Sequence, residues 1–240
     1  MTHKEEILEI LTRGKLELKG QFVLGSNYSF LTTVDHNGRK VKAVYKPQKG
    51  QQPLHDFESN SLAAREAAAY ALSEALEWEL VPPTVIRSRA PFGAGSLQEF
   101  IPHNPEETYF SFDEAARERL RPVAFFDLII NNADRKGSHI LLDRKGNFKL
   151  IDHGLCFHAE PKLRTVIWDF SGQAIPDTVL ADAQRLLTKL AEHGTLLKDL
   201  TKFLHPVEIE ALVRRIQDLV EAPVFPLPDP ERRPFPWPLV

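Results

Sequence analysis

The chain has 240 residues, 42% hydrophobic and 26% charged, an ordinary balance for a globular protein and long enough for one two-lobed domain or two small ones around a sizeable core. A formal net charge of −3 gives no overall electrostatic reason to expect nucleic-acid binding, and a single cysteine, Cys156, excludes an internal disulfide and fits a reducing compartment. No secretory leader and no apolar run of membrane-spanning length is visible, so a cytoplasmic protein without a transmembrane segment is expected.

Lys4 to Leu11 reads as a short amphipathic helix, with Ile7, Leu8 and Leu11 on one side. Leu16 to Val23, Tyr28 to Val34 and Arg39 to Tyr45 read as strands. The last two are joined by Asp35-His36-Asn37-Gly38, whose Asn-Gly pair is a strong hairpin signal. Gly25-Ser26-Asn27, between the first two strands, is either an ordinary turn or one that points backbone N–H groups and a hydroxyl at phosphate. Lys46 closes the third strand. Asn60 or Ser61 is placed to cap a helix running to about Leu76, on which Leu62, Ala69, Leu72 and Leu76 share a face. Glu66 falls in that same apolar stripe, where a carboxylate is costly unless a cation pairs with it.

Pro82 to Arg87 and Ser96 to Ile101 read as two more strands. Ser111-Phe112-Asp113-Glu114 has capping-box spacing, and one helix is expected from there to about Asn131, with Asp127 inside its apolar face. A polar loop, Asn131 to His139, leads to two short apolar runs, Ile140 to Leu142 and Phe148 to Ile151, which read as a hairpin. The second run ends on Asp152-His153-Gly154. Two carboxylates, Asp134 and Asp152, thus stand at the ends of one small unit with His139 between them, an arrangement suited to a hard cation carrying phosphates. Val179 to His193 and Pro206 to Leu219 carry helical periodicity. From Ala222 onward seven prolines preclude helix and central strand, so an extended tail is expected. Its Phe225, Phe235 and Trp237 either pack back on the domain or offer a ligand to a proline-recognising partner.

Taken together, Lys46, Glu66, Asp134, His139 and Asp152 resemble the catalytic core of the protein-kinase-like superfamily. The closer likeness is to its phosphoinositide-kinase-like and HipA-like branch, and within it to a bacterial family labelled phosphatidylinositol 3-/4-kinase-like. The resemblance spans roughly residues 15 to 220 and implies a bilobal α+β fold, with a small antiparallel-sheet N-lobe and a mainly helical C-lobe. Residues 1–101 would form the first lobe, 102–221 the second and 222–240 a separate proline-rich tail.

The resemblance implies a metal-dependent ATP phosphotransferase acting on a hydroxyl. Asp134 would be the base or hydroxyl-orienting group, Lys46 the phosphate clamp and Glu66 its positioner. Gly25, Ser26 and Asn27 would lie over the phosphates, and Gln98, Glu99, Phe100 and Ile101 would be the hinge that meets adenine. Asp152 and His139 would hold the metal ions. That branch usually has Asn where this chain has His139, and imidazole favours softer ions than Mg²⁺, which brings Mn²⁺ into consideration. Arg135 and Lys136 are candidates for holding substrate or phosphate.

Two other readings remain in view. One is a nucleotide-binding pseudokinase, favoured by His139. The other is a zinc site, because His139, Asp152, His153, Cys156 and His158 lie close in sequence, although their spacing is not that of a structural zinc site. No basic cluster or amphipathic membrane-binding helix is visible to favour a lipid acceptor over a protein or small-molecule hydroxyl.

Overall fold

The computed structural model describes residues 2–22, 28–49, 51, 56–58, 60–192 and 194–240. Helix α1, His3–Arg13, begins at a capping box in which Thr2 and Glu5 satisfy each other's backbone N–H groups. It lays Ile7, Ile10 and Leu11 against an antiparallel sheet. The sheet is built from β1 (Lys15–Phe22), β2 (Ser29–His36), β3 (Arg39–Pro47), β4 (Thr84–Arg87) and β5 (Gly95–Glu99), in the spatial order β1-β2-β3-β5-β4. Asn37 and Gly38 both take positive φ, 54° and 80°, which closes the β2–β3 hairpin at the His36–Arg39 pair as the Asn-Gly signal implied. Val34, Ala43, Tyr45 and Leu97 complete this smaller apolar cluster with α1.

Helix α2, Leu62–Ala75, crosses to a larger cluster. Its buried Ala68, Ala69 and Leu72 and the following Leu76 pack with Phe125, Phe126, Ile129, Leu186, Leu212 and Ile216 from the helical half of the chain. The expected cap does not form. The Ser61 hydroxyl donates to the Glu58 carbonyl at 2.8 Å and accepts from Arg65 Nε at 3.1 Å, so it satisfies no backbone donor at the helix start.

One helix was expected from residue 114 to about 131, and the structure has two: α3 (Glu114–Glu118) and α4 (Arg121–Ile130). Pro122 is the cause. It has no N–H to continue α3 and its fixed φ suits a helix's first turn, so the chain breaks at Arg119-Leu120 and restarts. Asp113, not Ser111, caps α3 by accepting from Ala116 N at 2.8 Å; the Ser111 hydroxyl serves the preceding 3₁₀ turn. Strands β6 (Ile140–Leu142) and β7 (Phe148–Leu150) form the expected hairpin, with Asp143 accepting from the Lys145 and Asn147 amides.

The C-terminal helices number three among the described residues, not two: α5 (Asp177–Ala191), α6 (Thr195–Phe203) and α7 (Pro206–Glu221). Beyond them the tail is extended and lies along the helical half. Phe225 is buried against Phe170, with 5.6 Å between ring centroids. Four tail carbonyls accept from backbone N–H groups of the body: Pro223 from Ile175 N, Phe225 from Gly172 N, Pro234 from Thr165 N and Leu239 from Gly137 N, at 2.9, 2.8, 3.0 and 2.8 Å. Packing therefore holds Phe225 and the main chain, while Phe235 and Trp237 stay exposed, Trp237 at 76%.

Candidate active site

Lys46 and Glu66, twenty residues apart, meet as the sequence implied. Lys46 Nζ lies 2.5 Å from Glu66 Oε1 and 2.9 Å from Asp152 Oδ1. Burial alone pushes the ammonium's pKa down, but the Asp152 and Glu66 carboxylates outweigh it and hold it above the ordinary lysine value. Glu66 is 2% exposed, and its second oxygen accepts the His153 backbone N–H at 3.1 Å. One buried carboxylate thus ties the sheet's lysine to the Asp152-His153-Gly154 turn.

That turn is tight for a reason. Asp152 has φ 63°, in the left-handed region that non-glycine residues seldom occupy and that recurs at functional sites. At Gly154 a Cβ would stand 3.3 Å from Leu62 Cβ, so the missing side chain lets the start of α2 close on the turn. The Asp152 side chain is half exposed, and the neighbouring Lys46 ammonium holds its carboxyl well below the usual carboxylate range.

The loop after α4 is held by its asparagines. Asn131 ends the helix in the left-handed conformation, and its amide donates to the His158 and Glu160 carbonyls at 2.8 and 2.7 Å. Asn132 accepts from Asp134 N at 3.0 Å and donates to Asp127 Oδ1 at 3.0 Å. Asp134 emerges partly buried, its carboxyl 3.3 Å from Lys136 Nζ. Burial raises its pKa to about 6; Lys136 opposes the rise and the negative charge of Asp152 adds to it, which places both carboxylates in one electrostatic site.

Arg135 does something other than hold substrate. It is fully buried and spends its whole guanidinium inside the protein. Nε lies 3.1 Å from both Asp127 oxygens and Nη2 lies 2.9 Å from Oδ1. Nη1 reaches the Ile151 and His139 carbonyls at 3.0 and 3.4 Å, and Nη2 also donates to His153 Nε2 at 2.9 Å. Asp127 therefore braces the loop through side chains — Arg135, Asn132 and Thr165. Sequence reading placed Asp127 on an apolar face; the cation that such a burial demands was eight residues on.

His139 sits in a 3₁₀ turn, Gly137–His139, 8% exposed, with Nε2 3.3 Å from Asp152 Oδ2. Burial pushes its pKa down to about 4 against the pull of Asp152, and Arg135, Lys136 and Lys46 lower it further, so the ring is neutral near pH 7. Asp152 supplies the oxygen chemistry a hard divalent cation requires. His139 does not fit that role as the ring stands: its Nδ1 accepts the Lys136 N–H at 3.4 Å, which leaves the proton on the nitrogen facing Asp152. The zinc constellation read in the sequence disperses in space. Cys156 is buried, His153 lies under Arg135, and the His158 ring packs on Phe57. Among the described residues no three His, Cys, Asp or Glu side chains converge as a metal site.

The hinge stretch narrows. Gln98 lies in β5 and its side chain donates to Thr84 Oγ1 at 2.8 Å. The Glu99 and Phe100 N–H groups are taken by the Pro83 and Lys42 carbonyls, both at 2.9 Å. Ile101 follows them, past the end of β5. Gly25, Ser26 and Asn27 lie outside the described residues.

Two features escaped the sequence reading. Arg65, in the same stripe as Glu66, forms a buried ion pair with Glu208 at 2.7 Å. Further on, Lys162 and Arg164 after the Asp152-His153-Gly154 turn and Arg232 and Arg233 of the tail line one cleft of about 440 Å³, together with Glu160. Lys162 is paired with Asp56 and Arg232 with Asp229, at 2.9 and 3.1 Å. The two pairs of cations lie about 70 residues apart in sequence, so no single linear charge run announces them.

A five-stranded antiparallel sheet, a strand lysine tied to a helix glutamate, and a helical half carrying an aspartate loop and a D-x-G turn define a protein of the protein-kinase-like superfamily. The crystal structure of a Helicobacter pylori proinflammatory kinase, CtkA, superposes with a TM-score of 0.56 at 12% identity, over 90% of this chain and 94% of that one, a likeness of fold. The chain belongs to the phosphatidylinositol 3- and 4-kinase family, whose model matches residues 16–207. It is also 38% identical to Protein Rv2133c of Mycobacterium tuberculosis over 273 aligned positions, 99% of this chain and 97% of that protein.

Proposed function

We propose that the protein is a metal-dependent ATP phosphotransferase that transfers the γ-phosphate to the hydroxyl of a protein or small molecule. The observation that carries this reading is the meeting of Lys46, Glu66 and Asp152, drawn from three separate elements, in one electrostatic site with Asp134. Phosphoryl transfer needs positioned phosphates, neutralised charge and an oriented hydroxyl more than covalent help. Residues 1–101 supply the nucleotide side, with Lys46 as phosphate clamp, Glu66 as its positioner and Ile101 as the hinge donor to adenine. Residues 102–221 supply the acceptor side.

Asp134 orients the acceptor hydroxyl and takes its proton. A carboxyl near 6 is ionised at neutral pH yet basic enough to help, the compromise general-base catalysis favours. Asp152 holds the Mg²⁺ or Mn²⁺ ion, which when bound neutralises charge on the phosphates. The cleft of Lys162, Arg164, Arg232 and Arg233 favours an acceptor that carries negative charge. An inositol lipid is one member of that class; no described helix is long and apolar enough to cross a membrane.

The test is ATP binding and γ-phosphate loss or transfer, first with Mg²⁺ and then with Mn²⁺, in the wild type beside Asp134→Ala and Asp152→Ala. Both variants are expected to lose turnover, Asp134→Ala by about 10²–10⁴-fold with ATP affinity retained. Turnover that survives either change refutes the assignment. Tight metal-dependent binding with no turnover under any acceptor supports the second reading, a nucleotide-binding pseudokinase, which the geometry of His139 favours.

A further inference from the structure

Position 139 is where family resemblance places a metal ligand, and the local geometry gives the residue a different task. The turn Gly137–His139 fixes the residue's backbone. The His139 N–H donates to the Lys136 carbonyl at 3.1 Å, and its own carbonyl accepts from Ile151 N at 3.1 Å and from Arg135 Nη1 at 3.4 Å. Ring Nδ1 accepts the Lys136 backbone N–H at 3.4 Å. A nitrogen that accepts carries no proton, and a neutral imidazole has one N–H, which must then be at Nε2. Nε2 lies 3.3 Å from Asp152 Oδ2.

We propose that His139 is a positioning residue, a neutral imidazole that donates its Nε2–H to Asp152 and takes no metal ion. The proposal rests on the phosphotransferase reading for its consequence, since Asp152 is the carboxylate that reading gives to the cation.

To ligate a metal, Nε2 must offer its lone pair. The ring proton would then move to Nδ1, where it would face the Lys136 N–H, donor against donor. Leaving such a buried donor unpaired biases the tautomers by roughly tenfold to a hundredfold toward Nε2–H. The two oxygens of Asp152 are divided in consequence: Oδ1 to Lys46 and Oδ2 to His139. When phosphates draw Lys46 away, Oδ1 becomes available to the cation, while His139 keeps the carboxylate's orientation through Oδ2. Such outer partners of a metal-binding carboxylate typically change metal affinity or activity by about 10–100-fold when removed.

Two spectroscopic measurements on the full chain test this. Long-range ¹H–¹⁵N spectra of the ¹⁵N-histidine protein report each ring's tautomer, with His139→Gln identifying the signal. The Nε2–H form is expected at neutral pH, and an Nδ1–H form overturns the proposal. Pulsed electron paramagnetic resonance of Mn²⁺ with a non-hydrolysable ATP analogue detects a directly bonded imidazole nitrogen; none is expected, and its presence overturns the proposal. His139→Leu is expected to weaken binding of the Mn²⁺ nucleotide complex by about 10–100-fold. His139→Gln, whose carboxamide can donate, is expected to stay within a few-fold of wild type, and equal losses in both overturn the donor role. If the Mn²⁺ nucleotide complex does not bind at all, the phosphotransferase reading fails while the tautomer measurement still judges the ring.

Discussion

Asp127 is the clearest place to test the physics of the loop, because the outcome does not depend on the reaction or the substrate. Asp127→Ala removes the carboxylate that accepts three contacts from Arg135 at 2.9–3.1 Å, one from Asn132 at 3.0 Å and one from Thr165 at 3.2 Å. Both charged side chains are fully buried, so the arginine cannot turn to water. Its charge would be left uncompensated in the interior, which costs about 3–5 kcal/mol. Domains of this size are stable by about 5–15 kcal/mol, so the loss is a large share of the whole. Urea unfolding at constant m-value measures it. The double variant Asp127→Leu, Arg135→Met removes both charges and should recover much of the loss, because a buried ion pair is worth little more than the apolar groups that replace it. If Asp127→Ala costs less than about 1 kcal/mol, or the double variant is worse than the sum of the singles, the brace assigned to this pair is wrong.

The Asp134 loop makes a prediction about pH. If Asp134 takes the acceptor's proton as proposed, it must be ionised, so turnover should rise as pH climbs through about 6. Lys136 lowers that pKa, so Lys136→Met should move the acid limb of the rate profile to higher pH, and an unmoved or downward-shifted limb refutes the contact's role. The tail makes another. Ending the chain after Arg233 removes the carbonyls that accept from Thr165 N and Gly137 N. Amide hydrogen exchange at those two positions should accelerate while the β2–β3 amides stay unchanged, and unaltered protection there means the tail does not hold the loop.

How much of this was legible in the sequence follows from the range of the forces involved. The Asn37-Gly38 hairpin depends on local backbone geometry and stands where the sequence put a turn, and α1 starts at His3, one residue before the expected Lys4. Glu66 was legible because a carboxylate in an apolar stripe requires a cation, and Lys46 was the one the family order supplied. The same reasoning applied to Asp127 stopped short, since nothing local says which of the nearby cations turns inward. Arg135 and Lys136 are adjacent and look alike in sequence; one is fully buried and the other meets Asp134 at the surface. The break at Pro122 was readable in principle, because an interior proline costs a helix about 3 kcal/mol, but the apolar periodicity continued across it. Helix α6 has nine residues and one fully buried side chain, Leu200, so its tertiary contacts decide it more than its pattern.

The deeper link in the site is one that no local pattern carries. Glu66 holds Lys46 with one oxygen and the backbone of the Asp152-His153-Gly154 turn with the other, at 2.5 and 3.1 Å. The helix that bears it packs into the larger core through Ala68, Ala69, Leu72 and the following Leu76. Arg65, beside it, anchors the same helix to the Cys156 carbonyl at 2.6 Å and to Glu208 of α7 at 2.7 Å. A shift of α2 therefore cannot release Lys46 without also releasing the turn that presents Asp152. Two functional groups separated by about a hundred residues are set by the placement of one helix, and that placement is fixed from the helical half of the protein.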